Sequence, residues 1–230
     1  MKNLAIIPAR GGSKRVPRKN IKDFLGKPII AYSIETALKS KLFDEVMVST
    51  DDDEIAAVAI QYGANVPFMR SDAAANDFAT TMDVLKEVEN KYRDNFNKEF
   101  DHICCIYATA PLIHVEHLIR GYEILINNAV SSVYPITAFG YPVWRGVKLN
   151  REGKTEMVWP EYMNARSQDL EKVYHDAGQW YWYDPKKVSG SLFTDNTSSI
   201  ILPEEEVQDI DTLNDWKLAE IKYELLQNSK

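Results

Sequence analysis

Two stretches of this sequence carry residue types suited to chemistry on a phosphorylated ligand, and they lie at opposite ends of the chain. The first is Ile7 to Asn20, IPARGGSKRVPRKN, which gathers Arg10, Lys14, Arg15, Arg18 and Lys19 around Gly11-Gly12. From Arg10 to Lys27 there are seven basic residues and one acid, Asp23. Glycines can turn backbone N–H groups toward a bound anion, and clustered cations concentrate anions around them. The second stretch is Glu204 to Asp215, with six carboxylates and no base. Within it Asp209 and Asp211 stand two residues apart. In extended chain they share one face, where their oxygens suit a hard cation such as Mg²⁺ if phosphates complete its shell. The pair of stretches points to a polyanion such as a nucleoside triphosphate together with its metal.

Each feature also has a plainer reading. A basic run can be a solvated face, or a patch for nucleic acid or membrane. The chain as a whole has 27 basic and 34 acidic residues and a net charge of −7, the wrong sign for a nucleic-acid binder outside this one loop. Asp211 read alone caps a helix, and Asp209 alone is a solvated carboxylate. Arg166, in Asn164-Ala165-Arg166-Ser167-Gln168-Asp169, could clamp a carboxylate in bidentate fashion or simply pair with Asp169. His175 beside Asp176 is weak evidence for acid–base work. The glycine spacings match neither a P-loop nor a dinucleotide fingerprint, and a G-x-S-x-G nucleophile elbow is missing.

The elements that must position these residues alternate between strand and helix. Leu4 to Ile7 is an apolar run of buried-strand length, closed by Pro8. Pro28 to Ser40 reads as a helix with proline in its first turn, Glu45 to Ser49 as a strand. Asp51 and Glu54 supply a capping pattern for a helix ending at Gly63. Val66 to Met69 predicts a short strand, placed at an edge by Pro67 and delivering Arg70 to a strand end. After a loop over 71–78, Thr80 and Asp83 cap a helix to about Tyr92. His102 to Tyr107 is a central strand, Val115 to Asn127 an amphipathic helix, and Ser131 to Tyr134 a further strand. This alternation predicts a mostly parallel sheet with helices on both faces, and ligands in such sheets bind at the carboxyl ends of the strands. The loops at 8–20, 70–81 and 107–111 are therefore expected to converge.

Between Tyr141 and Tyr174 the alternation fails. Val147–Leu149 and Thr155–Val158 flank a turn at 150–154 and predict a hairpin. Trp144, Trp159 and Tyr162 make this excursion, about residues 140–175, a candidate dimer interface; covering the chain's own sheet is the alternative. Gln179 to Tyr183 and Ser199 to Leu202 return as strands, and a helix capped by Thr212 and Asp215 closes the chain. A length of 230 residues suits one large α/β domain, or one domain with a small appendage. The first apolar run is too short for a signal peptide, and nothing approaches a membrane span. Cys104 and Cys105 are neighbours in a strand and so point to opposite faces; both read as core residues in a reducing, cytoplasmic setting.

The long N-terminal motif I-P-A-R-G-G-S-K-R-x-P-x-K-N resembles the signature of the sugar-acid cytidylyltransferases, the acylneuraminate (CMP-sialic acid) synthetase family. The likeness continues through G-K-P-I-I-A-Y-S-I at 26–34, S-T-D-D at 49–52, N-A-R-S-Q-D at 164–169 and D-I-D-T at 209–212. It implies a Rossmann-like α/β fold with a small β-rich dimerisation extension. It implies CTP and a nine-carbon keto sugar acid as substrates, Mg²⁺ as cofactor, and a homodimer that handles neither nucleic acid nor membrane. It gives Arg10, Gly11, Gly12, Ser13, Asn20, Arg70 and Thr81 to the nucleotide. Lys14 and Lys19 join Asp209 and Asp211 as the catalytic set, with the aspartates on the metal. Tyr107, Thr109, Arg166 and Gln179 fall on the sugar side, Arg166 facing the sugar carboxylate and reaching toward the partner subunit.

Two departures are informative. Sialic acid synthetases carry L-Q-P-T-S-P where this chain has Ile106-Tyr107-Ala108-Thr109-Ala110-Pro111, so Tyr107 replaces a glutamine. Their N-G-A segment is here Asp176-Ala177-Gly178-Gln179. Both changes resemble the branch acting on pseudaminic acid, a less hydroxylated acid with two acylamino groups. N-acetylneuraminic or legionaminic acid with the same chemistry is the nearer alternative, and a non-catalytic CTP-binding protein of this fold the remoter one.

Overall fold

Apolar alternation along the strands builds a seven-stranded sheet with a different hydrophobic layer on each face. The computed structural model describes residues 1–228. In chain order the elements are β1 (Asn3–Pro8), β2 (Asp23–Phe24), β3 (Lys27–Pro28), α1 (Ile29–Ser40), β4 (Glu45–Ser49), α2 (Asp53–Gln61), α3 (Asp72–Ala75) and α4 (Thr81–Phe96). They continue with β5 (His102–Ile106), α5 (Val115–Asn127), β6 (Ser132–Ala138), β7 (Val147–Leu149), β8 (Thr155–Met157), β9 (Tyr174–Asp176), β10 (Trp180–Tyr183), β11 (Thr197–Ile201) and α6 (Leu213–Asn228).

The strand order is β11-β6-β10-β5-β1-β4, with β9 also pairing β6. Strands β4, β1, β5, β6 and β11 run one way. β10 is inserted antiparallel between β5 and β6, and β9 is antiparallel too. Ala5, Ile7, Cys104, Trp180 and Trp182 face a core closed by α1, α2 and α5. Leu4, Ile6, Cys105, Tyr181 and Tyr183 face the opposite core, closed by α4. The adjacent cysteines thus lie in different layers, both free and buried. Gly121 in α5 lets that helix approach the sheet, since a Cβ there would sit 2.3 Å from the Trp180 ring.

A third cluster, set apart from the sheet, joins the two ends of the chain. Val16 from the basic loop, Phe24, Ile29 and Tyr32 pack with Ile210, Trp216 and Ala219. Val16 and Ile210 are both 0% exposed. Burying each is worth roughly 1.5–3 kcal/mol. An exposed ion pair such as Arg15 with Asp211 is worth about 0–1 kcal/mol. The apolar contact, more than the ion pair, therefore brings the C-terminal acids to the N-terminal cations.

Four local readings differ from expectation, the first being the short helix α3 inside the expected loop 71–78. Residues 66–69 form no strand. The segment meets β4 at Asn65, bridged to Met47, and again where the Arg70 N–H donates to the Thr50 carbonyl at 2.7 Å. Pro67 between them has no N–H to continue a ladder. Helix α2 is capped by Asp52, which accepts from the Ile55 amide at 3.0 Å, and not by Asp51, whose carboxylate is drawn to Gly11. Segment 174–176, between the hairpin and the return to the sheet, forms the short strand β9. The Thr80/Asp83 and Thr212/Asp215 pairs cap α4 and α6 as the spacing predicts.

The hairpin β7–β8 stands off the main sheet as a separate two-stranded piece. Trp144 contacts Trp159 and Tyr162 at ring distances of 5.6 and 5.4 Å, and its indole N–H donates to the Glu171 carbonyl. These aromatics pack on one another inside the extension. Tyr141, Val147, Leu149 and Met163 remain exposed.

Candidate active site

The carboxyl ends of β1 and β5, with the loop carrying Arg70 and the first turn of α4, surround a cleft of about 450 Å³. The three loops expected to converge all contribute to it. Five cations line it, Arg10, Lys14, Arg15, Lys19 and Arg70, against two carboxylates, Asp77 and Asp211. The N-terminus of α4 also opens here at Thr80 and Thr81 and adds the positive end of a helix dipole.

Each carboxylate bridges two cations. Asp211 accepts from Arg15 at 2.6 Å and lies 3.9 Å from the Lys19 ammonium. Asp77 accepts from Arg10 at 2.8 Å and from Lys14 at 2.5 Å. Lys14 and Arg10 hold the Asp77 carboxyl below the usual carboxylate range. Lys19 also donates to the Ile210 carbonyl at 2.6 Å, and burial pushes its ammonium pKa down against the pull of Asp211 and Asp209.

Arg70 is only 8% exposed. Its guanidinium donates to the Ser49 hydroxyl and carbonyl, and it forms no ion pair among the described residues. Burial lowers its pKa, with Asp51 and Glu87 opposing from a distance. A buried guanidinium facing a cleft without a paired carboxylate is a place for an anionic or strongly polar ligand group.

The basic loop is braced from within. Asn20 donates from its amide to the Arg10 carbonyl at 2.9 Å, and the Ser13 hydroxyl donates to the Val16 carbonyl at 2.6 Å. Arg18 takes a left-handed conformation, φ 55°, and forks onto Asp52 and Glu54. It lowers the Asp52 carboxyl pKa to about 2. Gly11 does not line the cleft: its N–H donates to Asp51 at 2.9 Å, and a Cβ on it would lie 2.7 Å from an Asp52 oxygen. Glycine is needed there for the close approach of Asp52. Gly12 also lies outside the lining.

Tyr107 and Thr109 line the cleft from the end of β5. The Tyr107 hydroxyl is 3.4 Å from the Thr81 hydroxyl, and its ring packs 5.3 Å from that of Tyr181. The Tyr181 hydroxyl donates to Asp176, whose other oxygen accepts from the Gly178 amide at 2.9 Å. Asp176 therefore shapes a turn. Gln179 is buried away from the cleft, its amide donating to the Glu206 carbonyl at 2.6 Å. Its main-chain oxygen accepts from the Tyr107 N–H, so it acts on the cleft through the backbone. Arg166 lies on the extension, paired with Asp169 at 2.7 Å, and Asp209 lies just beyond the lining. His175 sits against Phe139 in the extension, and no histidine lines the cleft.

Buried Ile210 turns Asp209 and Asp211 to its other side, as the two-residue period requires. Asp209 is solvent-exposed as a residue, yet partial desolvation of its carboxyl, and then the Asp211 charge, raise its pKa. A divalent cation relieves this kind of carboxylate coupling. The donor set fits Mg²⁺, with two hard oxygen ligands and phosphates and waters left to fill the shell. No group of three or more potential metal ligands is present among the described residues.

Asp77 is the cleft residue that sequence reasoning missed. Its loop was expected at the site, but Asp72 and Asp77 both lie in it, and nothing local distinguishes them. Arg15 was noted only as one charge in a run.

A mostly parallel α/β sheet with a cationic cleft at its strand ends, and a carboxylate couple beside it, defines a nucleotidyltransferase. The chain belongs to the cytidylyltransferase family, whose family model matches residues 4–183. It is 45% identical to the pseudaminic acid cytidylyltransferase of Campylobacter jejuni serotype O:2, over all of this chain and 99% of that protein. It is 35% identical to the CMP-N,N'-diacetyllegionaminic acid synthase of Legionella pneumophila, again over 100% and 99% of the two chains. The fold is shared with CMP:2-keto-3-deoxy-manno-octonic acid synthetase, solved in complex with CTP, at a TM-score of 0.67 and 20% identity, covering 99% of this chain and 100% of that one. No helix among the described residues is long and apolar enough to cross a membrane.

Proposed function

We propose that this cytidylyltransferase moves CMP from CTP to pseudaminic acid, giving CMP-pseudaminic acid and pyrophosphate. The full-length 45% identity to the Campylobacter enzyme carries the choice of sugar. Tyr107 and its Tyr181 neighbour support it, since an aromatic wall suits a less hydroxylated acid with acylamino groups better than a glutamine does.

The anomeric hydroxyl of the sugar attacks the α-phosphorus, and the bond from that phosphorus to the β-phosphate oxygen breaks. The chain's contribution is positioning and charge neutralisation. Arg10 and Lys14 take the phosphate tail that becomes pyrophosphate. Arg70 and the α4 N-terminus hold the nucleotide side. Asp209 and Asp211 would hold Mg²⁺, which would supply positive charge against the phosphates and lower the pKa of a nearby hydroxyl. Lys19, fastened to the Ile210 carbonyl, keeps the metal-side loop against the basic loop. No histidine lines the cleft, so the attacking hydroxyl gives its proton to solvent.

The enzyme acts as a homodimer in this reading. The stand-off hairpin with exposed Val147 and Leu149 supports that, and Arg166, which does not line its own cleft, then serves the partner's sugar carboxylate. The deciding assay is pyrophosphate release with CTP and Mg²⁺ on pseudaminic, N-acetylneuraminic and legionaminic acids. Turnover fastest on pseudaminic acid is expected. Preference for another acid sinks the choice of sugar, and no turnover on any sinks the reaction.

A further inference from the structure

We propose that Asp77 is a built-in stand-in for the triphosphate, which CTP displaces on binding and which helps expel pyrophosphate afterwards. The inference rests on the reading of Arg10 and Lys14 as phosphate ligands.

The geometry is that of an anion already in place. One Asp77 oxygen takes Arg10 at 2.8 Å and the other takes Lys14 at 2.5 Å. A carboxylate sharing two cations across its two oxygens does what a phosphate does with two of its oxygens. The carboxylate and a phosphate compete for the same guanidinium and ammonium donors, because like charges side by side repel.

The loop that carries Asp77 can let go. Its ends are tied: Ser71 bonds Glu87 through amide and hydroxyl, and Thr80 forms a reciprocal cap with Asp83. Between them, the Asn76 side chain accepts from the Phe78 and Ala79 amides at 2.8 and 3.0 Å. The Phe78 ring is 93% exposed, so no apolar contact anchors the tip. The two ion pairs, with a longer bond from Arg10 to the Asn76 carbonyl at 3.5 Å, tie it to the basic loop across the cleft. Asp211, the other bridging carboxylate, is occupied by the metal in the reading above. Asp77 is then the one cleft anion left competing with the ligand.

The consequence is an exchange. CTP binding swaps Asp77 for phosphate oxygens, and pyrophosphate departure swaps them back. Asp77 therefore weakens affinity for CTP and for pyrophosphate by a similar factor. It also keeps the five-cation cleft from holding its inorganic product.

The test is calorimetric titration of CTP into the wild type, Asp77→Asn and Asp195→Asn at low ionic strength, with EDTA and again with Mg²⁺. Asp195 is exposed and outside the cleft, so its change adds the same net charge elsewhere. We expect Asp77→Asn to bind CTP about three- to tenfold more tightly, the scale of two exposed ion pairs removed. Its pyrophosphate inhibition constant should fall by the same factor while Asp195→Asn stays at wild-type values. Unchanged or weaker binding by Asp77→Asn overturns the proposal; a purely structural or lysine-positioning role weakens binding. Weakening seen only with Mg²⁺ makes Asp77 a metal ligand and also overturns it, as does equal tightening in Asp195→Asn. If the wild type itself fails to bind CTP, the triphosphate reading falls first.

Discussion

The Lys19 ammonium donates to the Ile210 carbonyl across 191 positions of sequence, at 2.6 Å. That bond, beside the shared burial of Val16 and Ile210, sets the basic loop against the acidic couple. The cleft is thus assembled from the two ends of the chain, and its chemistry depends on their staying together.

Replacement of Asp211 by alanine should cut turnover steeply while leaving CTP bound. Asp211 neutralises Arg15 and Lys19 in the free protein, so its loss leaves those cations for the nucleotide. We expect kcat to fall on the order of 10²–10³-fold, as when a transition-state charge partner is removed. CTP affinity in EDTA should hold or rise. Calorimetry and pyrophosphate release together check this, and near-normal turnover would remove Asp211 from the metal site.

The ion pair of Arg18 with Asp52 should give the fold a distinct acid sensitivity. Asp52 titrates at about 2 in the folded chain, against 3.8 ordinarily. Its depressed pKa contributes stability that is present above the unfolded value and lost as pH falls from about 4 toward about 2. Asp52→Asn removes that contribution while an amide oxygen still caps α2, since asparagine caps a helix about as well as aspartate. Melting temperatures of wild type and variant should differ at neutral pH and converge toward pH 2. A gap independent of pH would show that the pair does not titrate with folding.

Tyr107 should set sugar preference. Its hydroxyl meets Thr81, and its ring leans on Tyr181 at the cleft wall. Tyr107→Gln should shift the kcat/KM ratio from pseudaminic toward N-acetylneuraminic acid by about tenfold, the scale of one altered pocket contact. An unmoved ratio would place the sugar elsewhere.

The hairpin should hold the dimer. Leu149 is 72% exposed on β7, which pairs with β8 apart from the main sheet. Leu149→Asp should yield a monomer by light scattering, with activity lost if Arg166 serves the partner's cleft. A persistent dimer would move the interface to another surface.

Much of this was written in local pattern. The strand period put Cys104 and Cys105 in opposite layers, and the i, i+3 pairs Thr80/Asp83 and Thr212/Asp215 marked two helix starts, because such signals involve neighbours only. The run of cations in 10–19 and the spacing of Asp209 and Asp211 were likewise visible, as were the loops that meet at the strand ends. Where two similar residues stood side by side, the pattern could not choose. Asp52 rather than Asp51 caps α2, and the bonds to Arg18 and Gly11 that decide it come from distant segments.

The sequence by itself therefore determined the class of fold, the family and the charged groups available for catalysis, since these reside in period, spacing and residue type. Only the tertiary structure decided which charges face each other. It inserted β10 between β5 and β6, turned Gln179 inward, left Arg70 buried without a carboxylate, and closed Asp77 over Arg10 and Lys14. The physical reason is that a pairing between remote residues follows from which apolar faces are buried together, and here the union of Val16 with Ile210 in one small core draws the two ends of the chain onto a single cleft.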